Sequence, residues 1–191
     1  MALFSLRKNF NRSNYLPHII TLVAAVSRLV PHAPNFTAAG AASIYSGRYL
    51  SGATRFVVPL GIMLITDFLL GFHRTMPFVY FCFAVNVLLG IWISRKPTVY
   101  KILGATLLSS ILFFVVTNFG VWLVGELYPK TVQGLIACYA NAIPFARNTL
   151  MGDMVFVGAM FGLTELVKKY QNKFFVDNNE RRALWPAQAK R

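Results

Sequence analysis

Long apolar runs, separated by short polar or charged segments, make up most of the chain. The runs lie at 17–30, 35–50, 53–72, 76–94, 99–124 and 147–167. The last four approach or exceed the roughly 20 residues that a helix needs to cross a bilayer. The pattern predicts an all-α protein, a polytopic membrane bundle of six transmembrane helices. The first two runs are short, and the alternative for them is one helix broken at Pro31 and Pro34.

The amino-acid composition favours a bilayer over water as the environment of this chain. Hydrophobic residues make up 56% of its 191 residues, charged residues make up 13%, and the mean hydropathy is +0.54. A soluble domain normally carries about 25% charged residues. The net charge of +13 comes from short basic clusters between the apolar runs and not from a basic stripe. We therefore expect no nucleic-acid partner.

The basic clusters predict how the chain is threaded through the membrane. If six helices cross and the N-terminus is cytoplasmic, 15 of the 19 lysines and arginines lie inside, as the positive-inside rule requires. The outer side then holds only Arg28, Arg74, Lys130 and Arg147. We expect a cytoplasmic N-terminal tail at 1–16, one transmembrane domain at 17–170 and a basic cytoplasmic C-terminal tail at 171–191. The prediction is a multi-pass protein of a prokaryotic-type cytoplasmic (inner) membrane.

Residues 118–146 form a semi-polar stretch between the fifth and sixth apolar runs. Gln133, Tyr139 and Asn141 interrupt an otherwise apolar sequence there. A seventh span would place the basic C-terminal tail outside, so we expect a long outer lid or a re-entrant segment. Irregular backbone at membrane depth must be covered by protein or border a cavity, which places a binding site beneath this segment.

Polar side chains within the apolar runs are costly in lipid and indicate either packing or function. Cys82 and Asn86 share a helix face because they are four residues apart. A thiol there is either a soft metal ligand or a small buried hydrophobe. The run of small residues at 38–42 includes Ala38-x-x-x-Ala42, which favours close helix packing within the bundle over an external partner surface. Candidates for structural ion pairs are Asp67, Arg28, Arg74, Arg147 and Asp153.

Amide and aromatic side chains gather near the outer ends of the fourth, fifth and sixth helices. Such a mixture is typical of a small-molecule pocket, although an interfacial aromatic belt is the alternative. The candidate substrate-binding residues are Cys82, Tyr80, Asn86, His73, Asn118, Trp122, Tyr139, Asn141 and Phe145. We expect no enzyme and no catalytic residues, because the sequence lacks the common hydrolase, zinc-protease and Walker motifs. Asp67 and His73 are the only acid and base pair that an enzyme could use.

Several motifs in a fixed order carry a family resemblance across residues 20–167. They are Arg28-Leu-Val-Pro-His-Ala-Pro-Asn35, Thr66-Asp67-Phe-Leu-Leu-Gly71, Met76-Pro-Phe-Val-Tyr80, Thr117-Asn118-Phe-Gly-Val-Trp122 and Ala142-Ile-Pro-Phe145. The chain resembles the substrate-binding (S) components of energy-coupling factor transporters. It is most similar to the cobalamin-specific S components that occur without a dedicated energising module.

The resemblance implies a six-helix subunit that binds a vitamin from the outer side of the membrane. Cys82 would then be an axial ligand to the cobalt of a bound corrinoid, with cobalamin as the transported ligand and no intrinsic cofactor. The implied partners are a coupling subunit and ATPases. The alternatives are an S component for a flavin or thiamin-like compound, and a non-transporting membrane scaffold or assembly protein.

Overall fold

Residues 15–188 are described by a computed structural model, with side chains for 15–171 and 173. These residues form six α-helices and no strand. They are α1 (Leu16–Val26, followed by a 3₁₀ turn at Ser27–Leu29), α2 (Ala39–Tyr49), α3 (Thr54–Leu70), α4 (Met76–Arg95), α5 (Val99–Val124) and α6 (Val132–Gln188). The all-α prediction is confirmed. Of the predicted tails, residues 1–14 lie outside the described part, and the C-terminal tail continues α6 to Gln188.

Within the described part of the chain, three helices are long and apolar enough to cross a membrane. They are Met76–Arg95, Val99–Val124 and the Val132–Gln171 part of α6. Large apolar side chains also face outward elsewhere; Ile65, Phe68 and Leu69 of α3 are 64%, 75% and 65% exposed. A soluble monomer rarely leaves such a surface open to water. Lipid is the environment that these outer faces fit, and the prediction of a membrane protein is confirmed.

Local sequence explains where several helices begin and end. Pro17 and Pro77 lie in the first turns of α1 and α4, where a missing N–H costs no hydrogen bond. Thr98 caps α5, because its side chain accepts a 3.2 Å hydrogen bond from the backbone N–H of Lys101. Gly71 ends α3 with φ of 103°, a backbone conformation that favours glycine.

Helix α2 occupies the centre of the bundle and not its lipid-facing surface. Its residues from Ala39 to Gly47 are all buried. A Cβ atom at Gly47 would overlap the carbonyl oxygen of Val87, and one at Gly90 would overlap that of Ile44. The backbones of α2 and α4 are therefore in direct contact. Because its neighbours shield it, α2 needs only small side chains and eleven residues.

The sequence-based description of residues 118–146 is wrong. Asn118 lies in the last turns of α5, only residues 125–131 form a loop, and residues 132–146 are the first turns of α6. Two of the three polar residues that suggested irregular backbone are bonded to other parts of the chain. Tyr139 donates to the carbonyl of Val115 at 2.6 Å, and Asn141 donates to the Tyr128 hydroxyl at 3.3 Å. These bonds allow a helix to carry polar residues at this depth.

Short connections place alternate helix ends on opposite sides of the bundle. The loops at 30–38, 71–75 and 125–131 lie at one end, which we call the cavity end. Arg74 joins two of them through an ion pair with Glu126, and Asn148 of α6 reaches the carbonyl of Pro34 in the third. The loops at 50–53 and 96–98 lie at the other end.

Candidate binding cavity

A cavity of about 540 Å³ opens among the helices at the cavity end. It is bounded by the last turns of α3 and α5, the first turns of α4 and α6, and the α1–α2 connection. Small-molecule sites in proteins usually measure about 300–1,000 Å³. The volume therefore suits a compound of vitamin or drug size.

Five of the nine candidate substrate-binding residues line this cavity. They are His73, Asn86, Asn118, Asn141 and Phe145. Asn118 donates its amide N–H to the carbonyl of Phe114 at 2.7 Å, which fixes its orientation. His73 lies at the rim, where its Nδ1 is 2.8 Å from the hydroxyl of Thr75. The amides on α4, α5 and α6 thus converge on one space.

The other four candidates do not line the cavity, because each faces another part of the bundle. Tyr80 donates to Asp67 at 2.8 Å, Tyr139 donates to Val115, and Trp122 donates to the carbonyl of Pro129 at 3.0 Å. Cys82 is fully buried, and its Sγ is 4.0 Å from the carbonyl oxygen of Leu112 on α5.

The second cysteine, which sequence reasoning did not select, does line the cavity. Cys138 on α6 is 2% exposed, and its thiol donates to the carbonyl of Asn118 at 3.4 Å. No spacing or flanking residue distinguishes it from Cys82 in the sequence.

An ion pair closes one side of the cavity near the 3₁₀ turn. Arg28 Nη1 lies 2.7 Å from Asp67 Oδ1 and 2.9 Å from the hydroxyl of Thr66. Tyr80 donates to the second carboxylate oxygen of Asp67. Both carboxylate oxygens are therefore occupied, one by a partner from the 3₁₀ turn after α1 and the other by a partner from α4. Arg74, another candidate partner, is paired with Glu126 instead.

The innermost level of the cavity is polar. On each of α4, α5 and α6, the lining residue farthest from the cavity end is Asn86, Ser109 or Asp153 respectively. Their exposed fractions are 1%, 1% and 4%. We call these three residues the cavity base. Sequence reasoning named Asn86 and Asp153 but missed Ser109, although paired serines within an apolar run were a usable signal.

Asp153 has a different environment from the one expected for an ion-pair residue. Its Oδ2 accepts a 2.7 Å hydrogen bond from Ser110. A Cβ atom at Gly40 would lie 2.5 Å from Oδ1, so the carboxylate rests on the backbone of α2. Within residues 15–171, no ion pair includes Asp153 or the exposed Arg147.

The fold and the cavity define a helical membrane protein with a cavity of small-molecule size among its helix ends. The chain belongs to DUF6580, a family of unknown function, whose model matches residues 8–176. Comparisons with curated proteins and with solved structures found no match.

Proposed function

We propose that this chain is the substrate-binding membrane subunit of a vitamin-uptake system and that its cavity opens to the outside of the cell. In this proposal all six helices cross or enter the bilayer, and both termini are cytoplasmic. The observation that carries it is the position of the 540 Å³ cavity. The cavity opens at the end of the bundle that has the fewer basic residues. The opposite end carries Arg48, Arg55, Arg95, Lys96, Lys101 and Lys168. By the positive-inside rule that opposite end is cytoplasmic.

The cavity favours a compound of the size of a flavin or thiamin. Phe83, Phe113 and Phe114 supply apolar and aromatic walls, and Asn118 and Asn141 supply polar groups at defined positions. This combination is typical of sites that bury most of a small ligand. A scaffold or assembly protein predicts an outer pocket too small or too polar for a vitamin, and a cavity of this volume does not match that expectation.

A corrinoid is the second candidate ligand. It is larger than a flavin, and a cobalt–thiolate bond requires Cys82 to become accessible. The observation in its favour is that Cys82 lies on α4 one turn from the cavity-lining Asn86 and holds a free thiol. Separation of α4 from α5 near Leu112 would expose that thiol.

Uptake requires a source of energy, and the sequence of this chain contains no Walker motif that would bind ATP. A coupling subunit and two ATPases are the partners that we propose. Their docking surface on this chain is not the Ala38-x-x-x-Ala42 stretch, because Ala38 and Ala42 are 1% and 0% exposed inside the bundle.

The proposal is tested by identifying compounds that stay with the protein through purification. Mass spectrometry of detergent-purified protein is expected to find a flavin, a thiamin-like compound or a corrinoid. Ala146→Phe should abolish its binding, because Ala146 lines the cavity and phenylalanine would fill part of it. The matched control is Ala137→Phe on the exposed face of the same helix. A wild-type protein that retains and binds none of these compounds would contradict the proposal.

A further inference from the structure

The cavity base joins an anionic group to polar atoms that lack partners. Asn86 Oδ1 and Ser109 Oγ have no hydrogen-bond partner within the described part of the chain. An unsatisfied buried polar group is destabilising, and two of them line the same cavity as one buried carboxylate. Native proteins keep such groups mainly where a ligand, ion or water completes them.

The three groups lie at one level of the bundle. Helices α2 and α4 both begin at the cavity end, and the contact between Ile44 and Gly90 fixes their register. One turn nearer the cavity end, that register brings Gly40 of α2 level with Asn86 of α4. Asp153 of α6 touches Gly40 directly. Asn86 and Asp153 therefore lie at the same depth in the bundle, and both line the cavity.

Ser109 completes this set from α5. Its neighbour Ser110 donates to Asp153 Oδ2, which places this part of α5 against the carboxylate. Asp153 Oδ1 and Asn86 Oδ1 are acceptors, and the Ser109 hydroxyl can accept through its lone pairs. The base thus combines a carboxylate with an amide and a hydroxyl that can each accept a hydrogen bond, and the last two also carry donors.

The charge balance of the cavity points in the same direction. Arg28 is the lining residue with a fixed positive charge among the described residues, and Asp67 neutralises it at 2.7 Å. Asp153 has no such cation. A carboxylate at membrane depth without a counter-charge is strongly destabilising, whereas a charge-assisted hydrogen bond to a cation offsets that cost.

We propose that the cavity base binds a cationic nitrogen group of the ligand, such as a primary ammonium. Its N–H donors point to Asp153, Asn86 and Ser109, while the remainder of the molecule lies between Phe113 and the amides above. This inference rests on the proposed function and names the substrate class within it, a cationic compound of vitamin size. Na⁺, which carboxylate, amide and hydroxyl oxygens also bind, is the alternative occupant that the test below separates from an ammonium group.

The test uses two probes that differ by one group, pyridoxamine with an ammonium and pyridoxine with a hydroxyl, together with uncharged riboflavin and with thiamin, whose cationic nitrogen carries no N–H. Binding to the full chain in detergent is measured by calorimetry and thermal shift. Wild-type protein is expected to bind pyridoxamine at least about tenfold more tightly than pyridoxine. Asp153→Asn should remove that preference.

A second variant guards against a loss of folding in Asp153→Asn. Ser109→Ala removes a hydroxyl that has no partner, so its melting temperature should equal or exceed that of the wild type while affinity for the cationic probe falls. Ser94→Ala, at the opposite end of α4, is the matched control with unchanged affinity.

Four results would overturn the inference. One is preferred binding of riboflavin or pyridoxine that Asp153→Asn leaves unchanged; the proposed function would then survive without a cationic ligand. Another is a higher melting temperature in NaCl than in choline chloride, if Asp153→Asn abolishes this difference while the organic probes still bind. That result would assign the cavity base to Na⁺. A third is intact cation preference in Ser109→Ala and Asp153→Asn. The fourth is no binding of any of the four probes, and a parallel failure to retain any vitamin would remove the proposed function as well.

Discussion

Arg28 and Asp67 form an ion pair of 2.7 Å that ties the turn after α1 to the last turns of α3. The Asp67 side chain is 2% exposed and the Arg28 side chain 17%. Tyr80 donates to the second carboxylate oxygen of Asp67, and Arg28 Nη1 also donates to the Thr66 hydroxyl. Three helices thus meet at one charged cluster beside the cavity.

Removal of one partner of this pair should destabilise the bundle strongly. Arg28→Met leaves Asp67 buried and uncompensated, which costs about 3–5 kcal/mol. Arg74→Met, which breaks the exposed pair with Glu126, should cost less than about 1 kcal/mol. Unfolding in mixed detergent micelles measures both values. The double variant Arg28→Met/Asp67→Leu should recover part of the loss, and equal losses in the two single variants would contradict the assignment.

The backbone contact between α2 and α4 predicts opposite effects for one substitution at two glycines. Gly90→Ala forces a methyl group into the carbonyl of Ile44, and such overpacking costs about 1–3 kcal/mol. Gly104→Ala on α5 meets no atom within 4 Å and should stabilise the helix by up to about 1 kcal/mol. Thermal unfolding of the purified variants gives the comparison. A Gly90→Ala protein as stable as the wild type would mean that the two helices are farther apart.

The hydropathy pattern was sufficient to place α4 and α5. The predicted runs at 76–94 and 99–124 agree with Met76–Arg95 and Val99–Val124. Much of the surface of these helices is apolar and exposed, as contact with lipid requires. Their own residues therefore suffice to identify them. Helix α2 shows the opposite case. Its shortness follows from contacts with α4 that no local property of residues 39–49 reveals.

The start of α6 at Val132 could not be read from the sequence for a related reason. Gln133, Tyr139 and Asn141 lower the local hydropathy, whereas in the structure Tyr139 and Asn141 are bonded to Val115 and Tyr128. Tertiary hydrogen bonds make polar residues compatible with a helix, and a hydropathy profile does not contain them.

The sequence predicted the types of residue that line the cavity better than it predicted which way each side chain points. Amides at the helix ends were selected because polar groups are rare in such segments, and Asn86, Asn118 and Asn141 line the cavity. Whether the Cys82 side chain points into the cavity or towards α5 depends on the rotation of α4 about its own axis. That rotation is set by packing, including the contact of Gly90 with α2.

The orientation in the membrane can be tested with single cysteines at exposed loop positions. In a Cys82→Ala/Cys138→Ala background, Glu126→Cys lies in the cavity-end loop and Lys96→Cys in the α4–α5 loop. A membrane-impermeant maleimide added to intact cells should label the former. The latter should react only after the membrane is opened, because basic loops stay cytoplasmic. Labelling of Lys96→Cys from outside would reverse the proposed topology and close the cavity to external ligand.

The two cysteines allow the two ligand candidates to be separated. Because the Cys82 thiol is buried against Leu112, Cys82→Ala should leave the affinity for a flavin or thiamin-like compound unchanged. Cys138→Ala, which alters the cavity wall, should change that affinity. A corrinoid ligand demands the reverse order, with a cobalt–thiolate absorption shift that is lost in Cys82→Ala and kept in Cys138→Ala. Calorimetry with the small vitamins and absorption spectra with hydroxocobalamin decide between them, since thiolate ligation requires α4 and α5 to part and expose Cys82.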